Sequence, residues 1–151
     1  MAPEEADAVV YFADDDNTYT LELFEALRKT KTVGLLRVGL VGGLRYEGPE
    51  TADGKMTGFH VGWRPERAYP MDMAGFAVHL GALLRRPSLA FDFSAKRGHL
   101  ETVFLSAIEP RPQDAQVLDA DCDHVLVWHT RTEEPQTQHE AQNPSSERIL
   151  V

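Results

Sequence analysis

Residues 8–16 read Ala8-Val9-Val10-Tyr11-Phe12-Ala13-Asp14-Asp15-Asp16, an apolar run that ends in three consecutive carboxylates. The run predicts a buried strand, and α/β folds bind their ligands at the carboxyl ends of such strands. Mg²⁺ and Mn²⁺ take one or two protein carboxylates and fill their other positions with water and phosphate oxygens. The junction therefore suggests a metal–diphosphate site. From the three acids alone, a solvated turn that caps the next helix is a slightly better interpretation.

The segments after this junction predict alternating helices and strands. Asn17, Thr18 or Thr20 can cap a helix whose Leu23, Phe24 and Leu27 are spaced to face a core. Aliphatic residues from 33 to 44 predict one or two buried strands, broken near Gly42 and Gly43. Glu47 is expected just beyond a strand end. Farther on, Phe59, Val61 and Trp63 alternate onto one face.

The second half of the chain predicts two helices, a loop, a strand and a tail. Phe76, Leu80, Leu83 and Leu84 keep helical spacing as far as Pro87, and a second stripe from Leu100 to Ile108 places Glu101 in a first helical turn. Residues 110–123 are rich in Pro and Asp and predict a loop, and residues 125–128 predict a short strand that ends at His129. From Glu133 onward the composition predicts a mobile or partner-ordered tail.

Charge and composition narrow the possible functions. The chain has 15 Lys+Arg against 24 Asp+Glu, and a net charge of −9 would repel nucleic acids and anionic membranes. No stretch approaches the roughly 18 consecutive apolar residues of a membrane helix. The single cysteine, Cys122, is interpreted as a structural thiol.

Several ungapped blocks resemble one enzyme family. They are VVYFADDDNTYTLELFEAL (residues 9–27), VGGLRYE (41–47), MDMAGFAV (71–78), RGHLE (97–101) and VLVWHTRT (125–132). These blocks are similar, in the same order, to the animal β-1,3-glucuronosyltransferases. The resemblance implies the C-terminal, acceptor-binding part of a GT-A type α/β glycosyltransferase, with a mixed sheet flanked by helices. It divides the chain into a disordered start (1–7), a unit with the Asp-x-Asp motif and the acceptor-binding domain (8–132), and a tail (133–151).

The resemblance also implies a role for each site residue. Asp16 would bind Mn²⁺ directly, Asp14 and Asp15 would lie near the ribose and sugar of UDP-glucuronate, and His129 and Arg131 would meet its diphosphate. Glu101 would be the catalytic base. Glu47, Trp63, Arg67 and Asp72 would bind the acceptor. Without the resemblance, Glu101 is an exposed first-turn residue, Trp63 belongs to the core, Arg67 lies on the surface, and residues 129–132 form a plain polar strand end.

The implied reaction is an inverting transfer of glucuronate to O3 of the terminal galactose of the proteoglycan linkage region. Trp63, Gly48 and the RGHLE block resemble the family members that act there. A relative acting on N-acetyllactosamine termini is the enzyme alternative, and a non-catalytic fragment that dimerises with the full-length enzyme is the other. A nucleotide crevice needs several strands before its acidic motif, whereas one strand is predicted before Asp14. We therefore expect this chain alone to be inactive. The resemblance to the family implies a preceding uridine-binding half with a stem and a membrane anchor. It also implies a homodimer and a location on the lumenal side of the Golgi membrane.

Overall fold

The computed structural model describes residues 7–131, 136–144 and 149–150. Its strands are β1 (Val9–Tyr11), β2 (Thr18–Tyr19), β3 (Val33–Leu35), β4 (Val38–Gly39), β5 (Tyr46–Ala52), β6 (Lys55–His60), β7 (Phe76–His79), β8 (Gln116–Val117) and β9 (Val127–Trp128). Its helices are α1 (Leu21–Leu27), α2 (Leu80–Leu84) and α3 (Leu100–Ile108), with short 3₁₀ turns at Met73–Gly75 and Pro112–Asp114.

The strands form two mixed sheets. The first has the order β1-β7-β3-β8 and the second has the order β2-β9-β4-β5-β6. The β3–β8 and β4–β9 pairs are parallel, and the other pairs are antiparallel. The predicted α/β class with a mixed sheet and flanking helices is confirmed, although the strands divide between two sheets.

The helix predicted from Phe76 onward is wrong in its first turn. Phe76–His79 is strand β7, which pairs with β1 on one side and with β3 on the other, so that Val78 lies opposite both Val10 and Val33. Phe76, Ala77 and Val78 are completely buried, and a short continuous apolar run is compatible with either a strand or a helix. The helix begins only at Leu80, where the His79 side chain accepts a hydrogen bond of 3.1 Å from the Gly81 N–H.

Helix α1 begins where one of the proposed caps predicts. The Thr20 hydroxyl accepts a hydrogen bond of 3.2 Å from the Leu23 N–H, and Leu23 and Leu27 are buried. Phe24 is 47% exposed, so its predicted place in the core is wrong. On a helix of only seven residues, the buried stripe is too narrow to include a position adjacent to Leu23.

The segment 33–44 forms the two buried strands β3 and β4, as predicted. Glu47, however, is the second residue of β5, where it lies opposite Val38 of β4, and the prediction that it follows a strand end is wrong. The hydrogen-bond partner that satisfies this carboxylate within the paired strand is the Gly62 N–H, which lies 15 residues farther along the chain. Trp63 lies beyond the end of β6 rather than on it.

Helix α3 is confirmed, and Glu101 lies in its first turn. Tyr69 fixes this helix at both ends: the Thr102 hydroxyl donates a 2.9 Å hydrogen bond to the Tyr69 carbonyl, and the Tyr69 hydroxyl donates one of 2.7 Å to the Glu109 carbonyl. The predicted loop 110–123 contains the Pro112–Asp114 turn and β8, and the predicted strand 125–128 is limited to β9.

Part of the predicted tail packs on the rest of the chain. Residues 136–144 make a turn against the loops that follow β4 and β6. His139 and Asn143 donate hydrogen bonds to these loops, and the Glu140 carboxylate accepts one from the Arg45 N–H. Residues 133–135, 145–148 and 151, like residues 1–6 of the predicted disordered start, lie outside the described residues, and the domain division stays a prediction. Across 7–131, 136–144 and 149–150, no helix is both long and apolar enough to span a bilayer.

Candidate active site

A cavity of about 220 Å³, here called the Trp63 cavity, lies between β5, the loop after β6 and the start of α3. Its lining residues are Val41, Gly42, Glu47, Trp63, Arg67, Met71, Asp72, Gly98 and Glu101. The structure thus brings together Glu101, predicted as the base, and all four residues predicted to bind the acceptor. Glu47 comes from β5, Trp63, Arg67 and Asp72 from the loop after β6, and Glu101 from α3.

Trp63 and Arg67 form one wall of the Trp63 cavity. The Arg67 guanidinium donates hydrogen bonds of 2.9 Å to the carbonyls of Trp63 and Gly98, and its Cζ lies 5.2 Å from the centre of the Trp63 ring. Arg67 is only 7% exposed, so the surface interpretation is wrong, whereas Trp63 is 41% exposed and is not a core residue. Gly98 packs directly on the ring, where a Cβ would overlap with the Trp63 side chain.

Glu47 forms the floor of the cavity and is cradled by two glycines. Its Oε1 accepts a hydrogen bond of 2.8 Å from the Gly62 N–H, and a Cβ on Gly42, whose φ is +65°, would collide with the carboxylate. Only 4% of Glu47 is exposed. Burial raises the pKa of Glu47, and the Gly62 N–H and the Arg67 charge oppose that rise.

Glu101 faces the same cavity from the first turn of α3. Burial raises the pKa of Glu101, while the Arg67 charge lowers it. The helix N-terminus favours the ionised form, but the rise caused by burial is the larger effect. A carboxylate with a raised pKa is a better proton acceptor than an exposed glutamate.

Asp14, Asp72 and His129 form a group that could bind a metal ion. Each offers one ligand atom, and these atoms lie within 4.8 Å of one another. The Asp72 Oδ1 accepts a hydrogen bond of 2.9 Å from the Ala74 N–H, while its Oδ2 lies 3.7 Å from His129 Nδ1, too far for a hydrogen bond. Within the described residues, that buried Nδ1 has no hydrogen-bond partner. Two carboxylates and an imidazole fit a divalent cation such as Mn²⁺, Zn²⁺ or Fe²⁺.

Strands β2 and β9 bring the two halves of this group together. The Thr130 hydroxyl donates a hydrogen bond of 2.7 Å to the Asp16 carbonyl, and the Tyr19 hydroxyl donates one of 2.6 Å to the Asp14 carbonyl. Arg131 lies next to the group, with its Nη2 at 3.3 Å from His129 Nε2. Of the three consecutive acids, Asp14 belongs to the group, whereas Asp15 and Asp16 do not, so the direct metal contact assigned to Asp16 stays a prediction.

Asp72 belongs both to the Trp63 cavity and to the metal-binding group. Burial raises the pKa of Asp72, and His129 opposes that rise. The sequence indicated Asp72 only as an acceptor residue, because its approach to Asp14 and His129 depends on tertiary contacts across more than fifty residues in each direction. Gly42 and Gly98 were also missed as site residues. The available signals were the Gly42-Gly43 pair, which predicts a break in the strand, and the position of Gly98 three residues before Glu101.

Comparison with known proteins places these residues in a family context. The sequence model of glycosyltransferase family 43 matches residues 2–133. The human galactosylgalactosylxylosylprotein 3-beta-glucuronosyltransferase 3 is 54% identical over 140 residues, which are 93% of this chain and 42% of the human protein. The human galactosylgalactosylxylosylprotein 3-beta-glucuronosyltransferase 2 is 47% identical over 83% of this chain and 39% of its own length. The Drosophila melanogaster galactosylgalactosylxylosylprotein 3-beta-glucuronosyltransferase I is 47% identical over 83% of this chain and 42% of its own length. The chain therefore spans about two fifths of these relatives.

Proposed function

The chain belongs to glycosyltransferase family 43, and we propose that it is the acceptor-binding part of an inverting β-1,3-glucuronosyltransferase. The reaction transfers glucuronate from UDP-glucuronate to O3 of the terminal galactose of the proteoglycan linkage region. Relatives whose names include galactosylgalactosylxylosylprotein as the acceptor support this choice over an N-acetyllactosamine acceptor. The observation that carries the proposal is the Trp63 cavity, which is lined by one carboxylate predicted as a base, an aromatic ring, the buried Glu47 and the partly buried Asp72.

The cavity suits a sugar acceptor. The partly exposed Trp63 ring can pack against the C–H face of a galactose, while Glu47 and Asp72 can accept hydrogen bonds from its hydroxyls. The Arg67 guanidinium is held by the backbone, because its Nε and both Nη atoms donate hydrogen bonds to the carbonyls of Arg64, Gly98 and Trp63. Arg67 therefore fixes the wall and balances the negative charge of Glu47 and Glu101, and its two remaining N–H groups can donate hydrogen bonds to the sugar.

Glu101 accepts the proton of the attacking galactose O3 as that oxygen bonds to the anomeric carbon of the donor. The bond between the anomeric carbon and the diphosphate breaks on the opposite face, and the configuration is inverted. One base without a second nucleophilic carboxylate is the arrangement that a single displacement requires, by the logic that separates inverting from retaining glycosidases. The raised pKa of Glu101 supports this role.

A divalent cation, which we propose to be Mn²⁺, would neutralise negative charge on the departing diphosphate. The edge formed by Asp14, Asp72 and His129 supports a cation here, and the family resemblance adds Asp16 as the direct ligand. Asp14 and Asp15 would contact the ribose and sugar of the donor. His129 and Arg131 would donate hydrogen bonds to the diphosphate oxygens.

The family resemblance further supports a homodimer that acts on the lumenal side of the Golgi membrane. Both features belong to the proposal.

The acceptor assignment can be tested in a fusion that places this chain behind the N-terminal part of the human relative. We expect transfer from UDP-glucuronate to galactose-β1,3-galactose and little transfer to N-acetyllactosamine. The Trp63→Ala variant should raise the acceptor KM far more than the donor KM, because the ring contacts only the acceptor. Phe93→Ala is the matched control, since Phe93 is an exposed aromatic residue outside the cavity. Equal use of both acceptors would contradict the assignment.

The metal assignment can be tested in the same fusion by two isosteric changes. Asp16→Asn should abolish Mn²⁺-dependent transfer and weaken Mn²⁺ binding, measured by water-proton relaxation, because the direct carboxylate ligand is lost. Asp14→Asn should weaken donor binding while it leaves Mn²⁺ binding largely intact. The reverse pattern would assign the cation to the Asp14, Asp72 and His129 group without Asp16.

A further inference from the structure

Two tyrosines lie between the acidic segment 14–16 and the turn that follows Asp72. Tyr11 belongs to β1 and Tyr19 to β2, and these strands are part of different sheets. The two rings meet edge to face, with their centroids 6.2 Å apart and an angle of 83° between their planes. Edge-to-face contact is one of the preferred arrangements of an aromatic pair. Tyr11 and Tyr19, here called the tyrosine bridge, therefore connect the two sheets next to the site.

Tyr19 holds the acidic segment 14–16 at one end. Its hydroxyl donates a hydrogen bond of 2.6 Å to the Asp14 carbonyl. At the other end of the segment, the Thr130 hydroxyl donates one of 2.7 Å to the Asp16 carbonyl. Burial and the Asp14 charge raise the pKa of Tyr19, so its hydroxyl keeps its proton and remains a donor.

Tyr11 holds the peptide on which the Asp72 carboxylate rests. Its hydroxyl donates a hydrogen bond of 2.9 Å to the carbonyl of Ala74, a completely buried residue. The Ala74 N–H donates the hydrogen bond of 2.9 Å to Asp72 Oδ1, and Asp72 caps the 3₁₀ turn to which Ala74 belongs. Burial raises the pKa of Tyr11 strongly, so this hydroxyl also remains a donor.

We propose that Tyr11 and Tyr19 are positioning residues, which set the distance between the acidic segment 14–16 and Asp72. The acidic segment binds the donor in the proposed function and Asp72 lines the acceptor cavity, so this distance places one substrate against the other. Reacting atoms must come within about 3 to 3.5 Å before the new bond forms, and a small displacement slows that step. The effect on transfer rests on the proposed function, whereas the structural part of the inference does not.

The tyrosine bridge acts in series, and this property distinguishes it from two separate structural residues. One hydroxyl holds Asp14, the two rings hold each other, and the second hydroxyl holds Ala74. Release of either end therefore frees the distance between the acidic segment and Asp72. Release of the second end then adds little.

The structural part can be tested on the chain itself by NMR. Tyr19→Phe keeps the ring but removes the hydroxyl at the Asp14 end. It should shift the resonance of the Ala74 amide, at the opposite end of the bridge, and speed its hydrogen exchange by about threefold to tenfold. The exchange rate is compared with that of the Val78 amide in the central strand β7, so that a change in global stability is not mistaken for a local one.

Tyr69→Phe is the matched control. The Tyr69 hydroxyl also donates a hydrogen bond to a backbone carbonyl, that of Glu109, but it lies outside the tyrosine bridge. The control variant loses the same kind of hydrogen bond. It should leave the exchange of the Ala74 amide relative to Val78 unchanged.

The effect on transfer can be tested in the fusion enzyme. Tyr11→Phe and Tyr19→Phe should each lower kcat by about threefold to tenfold, with the KM for galactose-β1,3-galactose within about twofold of the unsubstituted enzyme. Because the two hydroxyls hold opposite ends of one connection, the double variant should be no slower than the slower single variant. Tyr69→Phe combined with either substitution should give additive effects.

Two results would overturn the proposal: losses of kcat that add in the double variant, or an Ala74 amide that Tyr19→Phe leaves unchanged. A fusion that transfers to no galactoside would contradict the proposed function instead, and the Ala74 amide of the chain would still decide the role of the tyrosine bridge.

Discussion

Effects of opposite sign act on the pKa of Glu101. Burial raises its pKa, and Arg67 lowers it from across the Trp63 cavity. A base must be deprotonated to act, so the acidic limb of kcat/KM should fall with the protonation of Glu101 and lie above the ordinary range of glutamate. This placement keeps the carboxylate a strong proton acceptor at neutral pH.

Glu101→Gln is the substitution that isolates this role. It preserves shape and hydrogen bonding but removes the proton acceptor, and positioned bases contribute roughly 10²- to 10⁴-fold. In the fusion enzyme we expect kcat to fall by at least that range, with donor and acceptor affinity nearly unchanged in equilibrium titrations. Glu109→Gln, at the far end of α3, is the control. If kcat stayed within a few-fold, Asp72 would become the candidate base.

The loops that contain Gly42 and Gly98 determine the shape of the Trp63 cavity. Gly42 and Gly54 both have positive φ, at +65° and +72°, but only Gly42 faces a side chain, since nothing lies within 4 Å of a Cβ built on Gly54. The two positions therefore share the backbone cost of an alanine and differ in the contact with Glu47.

Gly54→Ala should destabilise the chain by about 1 to 2 kcal/mol, the cost of a left-handed backbone for a residue with a Cβ. Gly42→Ala should cost more and should also raise the acceptor KM, because the added Cβ displaces the Glu47 carboxylate. Urea denaturation of the chain measures the first effect, and acceptor kinetics of the fusion measure the second. Equal destabilisation by both variants with an unchanged acceptor KM would contradict the cradle.

How far the sequence predicted these elements depended on whether their signals were local. The Thr20 cap, the α3 stripe and the break at Gly42 and Gly43 are local signals, and the structure contains all three features. The β7 strand was misassigned because Phe76–Val78 is apolar without alternation, and only its pairing with β1 and β3 makes it a strand. The contacts of Glu47 with Gly42 and Gly62, and the position of Asp72 next to His129, join residues that are distant in the sequence, and a local sequence pattern does not predict such contacts.

The site concentrates negative charge in a chain that is already acidic. Glu47, Asp72 and Glu101 line one cavity, burial raises the pKa of all three, and Arg67 is the only cation among the described residues that line it. The net charge of −9 adds repulsion across the surface. The arrangement favours binding and proton acceptance at the expense of folding stability.

The raised pKa values of these three carboxylates predict how folding stability depends on pH. A group whose pKa is raised on folding binds more protons in the folded state, so its contribution to stability is complete below its unfolded pKa and is lost as pH rises through its folded pKa. We therefore expect the Tm of the chain to increase as pH is lowered from 8 toward about 5, the window above the ordinary carboxylate range.

Neutral substitutions should remove this dependence and show its source. Glu47→Gln and Glu101→Gln should each raise the Tm at pH 8 and reduce the slope of Tm against pH, because no charge remains to be buried. Both substitutions should also impair transfer in the fusion enzyme. Asp92→Asn is the control, since Asp92 is fully exposed and hydrogen bonds from Ser94 lower its pKa, the opposite direction. Two results would contradict this prediction: a Tm that falls steadily on acidification from pH 8, or a Glu47→Gln variant that is less stable than the original chain at pH 8. Either result would show that partners stabilise the ionised carboxylates of the cavity and that the site does not lower folding stability.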